Sequence, residues 1–364
     1  LDSISFLLSS HDLAFMLFLN SSSEFFCFRL MLLISLIVNL SNKVASPKYS
    51  SFGEQQLHSN NPDLFMYDWF GENSYGFGGW YGQRYGGDPV NMQFNGDKFE
   101  CIRYWPDEEQ GSSFKEEFKY VNEEGEVIEE KENLKDLGVQ LSNDLSFSKH
   151  IDKTVSSCRK IMGWALRTFK TRNKKTMLVI WNSMIQSRLD YCSQLWSPSN
   201  ASQITKIEDV QRQFTRRIEG MENLSYRERL KKLHMYSQER RRDRYMIIFV
   251  WKIAMGLVDG YKLQFKNEGT RRGRECVVSE IMKTAPAAVR RARENSLSVK
   301  GAKLFNLLPA KIRNISSDKV KHFKTELDDF LKNIRDEPTV AGEMRAAESN
   351  CLLHQVPMAR LINQ

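Results

Sequence analysis

Few residues of this 364-residue chain stand in spacings that do chemistry by themselves. The six cysteines, at 27, 101, 158, 192, 276 and 351, lie far apart and form no C-x-x-C pair. A disulfide framework or zinc ribbon is therefore not expected, and a reducing compartment, nuclear or cytoplasmic, fits better. Cys351 and His354 are near neighbours, but no second ligand pair accompanies them and H-E-x-x-H does not occur, so no metal site is expected. Residues 71–87 hold seven glycines among aromatics, yet match neither G-x-G-x-x-G nor the Walker pattern. That stretch reads as a flexible linker and not as a phosphate loop. The single Asp-Asp pair, Asp328-Asp329, lies on a helical pattern near the C-terminus, where a solvated face is expected.

Positive charge is what the sequence concentrates. Residues 1–148 hold 10 Lys+Arg against 23 Asp+Glu, residues 149–300 hold 33 against 14, and residues 301–364 hold 10 against 8. The central block thus carries +19 and the first −13, and such a polarised field favours polyanionic partners.

The elements that would carry this charge fall into an α+β, mainly α, arrangement. Residues 1–90 contain apolar runs at 13–19 and 30–38, each shorter than the ~20 residues that cross a bilayer, and read as a poorly structured leader and linker. Residues 91–147 suggest strands: 99–105, a hairpin about Gly125 in 119–130, and one strand over 134–141. From 148 to 260 the period changes to about 3.6, giving helices with apolar faces such as Ile151, Val155, Ile161, Met162, Leu166 and Phe169. A second helix opens near Asn173, a third runs through 204–218, Ser225 and Glu228 form a capping box, and a fifth begins at the run ERRRDR (239–244). Trp164, Trp181, Tyr191, Trp196 and Trp251 are expected in the core. Residues 261–316 read as a basic connector, 317–338 as an amphipathic helix capped by Asp318, and 339–364 as a tail without pattern.

Six segments occur in a telling order: MQFNGDKFECIRY (92–104), LKDLGVQLSNDLSFSKHI (134–151), SRLDYCSQLWSP (187–198), VQRQFTRRI (210–218), LSYRERLKKL (224–233) and ERRRDR (239–244). With KGAKLFNLLPAKIR (300–313) and FKTELDDFLKNIRDEP (323–338), the chain resembles, over roughly 91–338, the C-terminal part of the reverse transcriptase of jockey-type, LINE-like non-LTR retrotransposons. The resemblance implies a partial palm at 91–147 followed by a basic helical thumb. Lys98 would stand near the departing pyrophosphate as general acid, or else is a solvated turn lysine. Leu137, Gly138 and Val139 would form the primer-grip strand, where a glycine lets backbone approach nucleic acid. The thumb would track an RNA template or DNA duplex through phosphates, without reading sequence. Its contacts would come from Lys149, Lys153, Lys160, Arg167, Lys170, Arg172, Lys174 and Lys175 on the first two helices, and Arg212, Arg216 and Arg217 on the third.

The chain departs from the family at the chemistry. The intact RNA-directed DNA polymerase needs two Mg²⁺ ions held by an Asp-bearing strand and a Tyr/Phe-x-Asp-Asp turn. Neither the turn nor a cofactor site is expected in these residues, which open on Leu instead of Met as a fragment would. The expectation is an inactive, truncated transposable-element product that binds nucleic acid nonspecifically, its helical module the stably folded part. The alternative is a non-enzymatic basic helical interaction protein, tethered to membrane by the apolar N-terminus.

Overall fold

The computed structural model describes residues 100–102, 127, 129–258, 261–281, 283–285, 287–338 and 350–356. Lys98, the apolar leader, the glycine-rich stretch and most of the 119–130 hairpin lie outside these residues. Cys101, expected within a strand, forms a single parallel bridge with Glu130. The described chain is mainly helical, with two small antiparallel hairpins.

The segment expected as one strand is two, β1 (Asn133–Asp136) and β2 (Val139–Ser142), paired antiparallel with Leu134 opposite Leu141 and Asp136 opposite Val139. The reason is a change of parity. The buried apolar position of β1, Leu134, is even-numbered and those of β2, Val139 and Leu141, are odd-numbered, which requires a turn of even length between the strands. Leu137 and Gly138 supply it with φ of 48° and 88°, the left-handed pair of a type I′ turn. The Tyr191 hydroxyl donates to the Leu137 carbonyl at 2.7 Å and fixes the hairpin tip to the helices.

Helices follow the apolar period. α1 (Ser148–Thr168) buries Ile151, Val155, Cys158 and Ala165. α2 (Lys174–Ile180) starts at Asn173, whose side chain accepts from the Thr176 amide, and passes through a π-helical turn, Trp181–Gln186, into α3 (Ser187–Asp190). α4 (Ala201–Thr215) and α5 (Tyr226–Leu233) come next, and Ser225 and Glu228 make the expected capping box on α5. α6 (Gln238–Ala254) is the central helix, with Met246–Trp251 all buried. Residues 261–316, expected as a connector, contain a hairpin of β3 (Phe265–Lys266) and β4 (Glu275–Cys276), then α7 (Ala287–Glu294), a π-helical turn, α8 (Ala302–Asn306) and α9 (Ala310–Arg313). Leu304, Phe305 and Ile312 of this region join the same core as α1 and α6. α10 (Val320–Lys332) closes the bundle, stacking Phe323 on Trp251 with ring centroids 4.2 Å apart.

Three expectations need correction here. Asp318 does not cap α10; it sits in a 3₁₀ turn, Ser317–Lys319, and accepts from the Ser316 hydroxyl. Asp328 is not on a solvated face, because its carboxylate takes Nε and Nη2 of Arg244 on α6, at 2.5 and 2.8 Å, and tethers α10. Trp164 is not in the core but 47% exposed on α1.

The tail has structure that no periodicity announces. Asn350 donates to Ser237 Oγ and Asp336, and Leu352, fully buried, offers its amide to Asp243. These contacts surround the first turns of α6. Arg240 there donates to the Arg335 carbonyl at 2.7 Å, and Asp243 pairs with Lys300 at 3.3 Å.

Candidate nucleic-acid interface

α1 presents its cations in order. Lys149, Lys153, Lys160 and Arg167 are spaced by four, seven and seven residues. At 3.6 residues per turn they fall within about 40° of one another, on the side opposite Ile151 and Cys158. All four are exposed, and among the described residues none makes an ion pair. They form a rail about 27 Å long, from the eighteen steps between Lys149 and Arg167 at ~1.5 Å each. The only acidic side chain of α1 is Asp152, and the helix has none after it.

One flank of the rail drops into a groove of about 610 Å³ lined by Asp152, Val155, Ser156, Arg159, Lys160 and Lys206. α4 forms the opposite wall. It runs alongside α1 in the same direction, because Gln203 bonds Ser148 at 2.6 Å and Lys206 pairs with Asp152 at 2.7 Å. The Lys206–Asp152 pair is exposed and so contributes little to stability, and Lys206 is available to an anion in exchange. Arg159 and Lys206 were not among the expected contacts. The spacing along one helix does not disclose which flank a second helix will cover, so only the structure joins them.

The remaining expected residues divide by what they touch. Arg172 is half-buried and donates to the Leu166 carbonyl at 2.5 Å and to the Phe169 carbonyl, so it closes the C-terminus of α1 instead of facing solvent. Lys174 donates to the Lys232 carbonyl at 3.0 Å. Arg212 pairs with Asp209 one turn away, at 2.7 Å. Lys170, Lys175, Arg216 and Arg217 are exposed. Arg216 and Arg217 lie at the same end of the bundle as Arg172, since the Glu219 amide donates to the Arg172 carbonyl at 2.9 Å. In the hairpin, Gly138 is exposed and Leu137 half-buried, whereas Val139 is fully buried and its side chain packs in the core.

The positive field reaches inward. His150 is pushed down to about 4, first by burial and then by the charges of Arg242 and Lys153. The imidazole is neutral at pH 7, and its Nδ1 accepts from the Gln140 amide, joining the hairpin to α1.

The carboxylates do not fit a two-metal centre. Asp328 is engaged by Arg244 and Tyr236, Asp329 by Lys332, and both sit on a helix. Among the described residues no three His, Cys, Asp or Glu side chains group as metal ligands, and no helix is long and apolar enough to cross a membrane. No protein-family model matches the chain, and neither a curated protein nor a solved structure is found to be similar to it.

Proposed function

We propose that the chain is a remnant of a non-LTR retrotransposon reverse transcriptase, without polymerase activity, whose α1 rail and adjoining groove hold nucleic acid by its phosphates. The ordered segments from 92 to 338 support the ancestry. The observation that carries the binding is the alignment of Lys149, Lys153, Lys160 and Arg167 beside Arg159 and Lys206, because side chains on one line can neutralise successive phosphates while reading no base. The 364 residues contain no Tyr/Phe-x-Asp-Asp turn, so primer extension with Mg²⁺ is expected to yield no product. Measurable extension would overturn that part.

The binding is tested by titrating the full chain against a primer–template duplex between 50 and 200 mM salt. Four phosphates engaged by the rail give a log–log slope of about −3.6, from roughly −0.9 per phosphate. The double substitution Lys153→Glu and Lys160→Glu should flatten the slope to about −1.8 or less. Absence of duplex binding at low salt, together with binding to anionic vesicles, would favour a membrane-surface protein and refute the reading.

A further inference from the structure

The rail has an aromatic edge that phosphate tracking does not use. Trp164 follows Lys160 by four residues and precedes Arg167 by three, which makes it the surface neighbour of both, with Cβ atoms ~5–6 Å away. The indole is 47% exposed and meets the 38% exposed Phe169 ring edge-on, with centroids 6.2 Å apart at 90°. Phe169 is itself held, since its amide donates to the Ala165 carbonyl and its carbonyl accepts from Arg172. Two large apolar rings are thus kept at the surface in edge-to-face contact, with Trp164 between Lys160 and Arg167 along α1. Both leave much of their apolar surface in water, where a planar ligand can reach it.

The geometry points to Trp164 as a stacking platform for an unpaired base of the strand whose phosphates lie on Lys160 and Arg167. This rests on the nucleic-acid reading above and narrows it to strands with unpaired bases. A paired base shows only its edge in a groove, while an unpaired one offers a π-face. A straight line of cations also suits one strand better than the two curving backbones of a duplex. Stacking tolerates any base, in keeping with phosphate contacts that read none.

The test uses the full chain with a fluorescent 20-nucleotide oligo(dT) and a blunt 20-base-pair duplex, read by anisotropy. The native protein should bind the oligonucleotide more tightly than the duplex. Trp164→Ala should weaken oligonucleotide binding about 5- to 150-fold, the range for losing one stacked base, and leave duplex binding within about twofold. Trp164→Phe should recover most of the loss, and unchanged thermal unfolding would exclude misfolding of either variant. Equal weakening of both ligands, or no change for oligo(dT), would overturn the platform while leaving the phosphate reading intact. Absence of binding to either ligand by the native chain would overturn both.

Discussion

Glu208 is the most exacting place to test the energetics of this fold. It lies on α4, fully buried, with its carboxyl hydrogen-bonded to the Tyr226 hydroxyl and accepting from the Gln238 amide at 2.9 Å. No cation pairs with it among the described residues, and burial pushes its pKa up to about 8 from 4.5. The folded value is raised, so its contribution is fully present below pH 4.5 and is lost as pH rises toward 8. At pH 7 keeping the proton costs about 3 kcal/mol, at ~1.36 kcal/mol per pH unit. At pH 5 the same cost is under about 1 kcal/mol. Glutamine is neutral like the protonated acid: its Oε1 can accept from the Gln238 amide, while the Tyr226 hydroxyl, which donates to Glu208 in the native chain, must turn to accept from the new amide. The stability of Glu208→Gln relative to native should therefore rise by about 2–3 kcal/mol between pH 5 and pH 7, whatever the constant cost of turning the Tyr226 hydroxyl. Urea denaturation followed by tryptophan fluorescence at the two pH values measures this, provided the m-values agree. A stability difference that does not change between the two pH values would refute the assignment of a buried neutral carboxyl.

Two more perturbations follow from the same geometry. Gly138→Ala forces a side chain into φ 88°, and it should lower the urea-unfolding free energy by about 1–2 kcal/mol without changing duplex binding. His150 has a depressed folded value of about 4, so stability should fall by up to about 3 kcal/mol as pH drops from 6.5 to 4. The difference in stability between the Glu208→Gln protein and its His150→Gln derivative isolates that fall, because Glu239, raised by burial to about 7, titrates in both.

The sequence made the helices legible because their signals are local. The seam of Ile151, Val155 and Cys158 follows from a 3.6-residue period, and the Asn173 cap and the Ser225–Glu228 box need only three or four consecutive positions. The hairpin at 133–142 was missed as two strands, although the parity shift across Leu137–Gly138 is written in the residues. Leucine at a positive φ is so uncommon that it hid the turn. The tail segment 350–356 was illegible for another reason. Asn350 and Leu352 are fixed by Ser237, Asp336 and Asp243, more than one hundred residues away in two of the three cases, and no periodicity encodes such partners. The groove shares that limit, since Lys206 comes to line it with Arg159 and Lys160 only through the packing of two helices.

Charge density and charge spacing have different consequences in this protein. The run ERRRDR packs four arginines into six consecutive positions, and consecutive positions on a helix point in every direction. α6 is covered on most sides, so the run is drawn inward: Arg240 and Arg242 are buried, while Arg241 and Arg244 pair with Asp190 and Asp328. Arg242 carries a cost, since its Nε and Nη1 find no hydrogen-bond acceptor among the described residues, and burial lowers its pKa to about 10. The Trp196 ring, 4.1 Å from the guanidinium, offsets part of it by an interaction worth ~2 kcal/mol when desolvated. These arginines bind the chain to itself. The rail on α1 has no more cations than that run, yet its spacing of four, seven and seven keeps every one on a single exposed face. Spacing therefore decides how much positive charge stays at the surface, and the +19 of the central block overstates the charge left exposed.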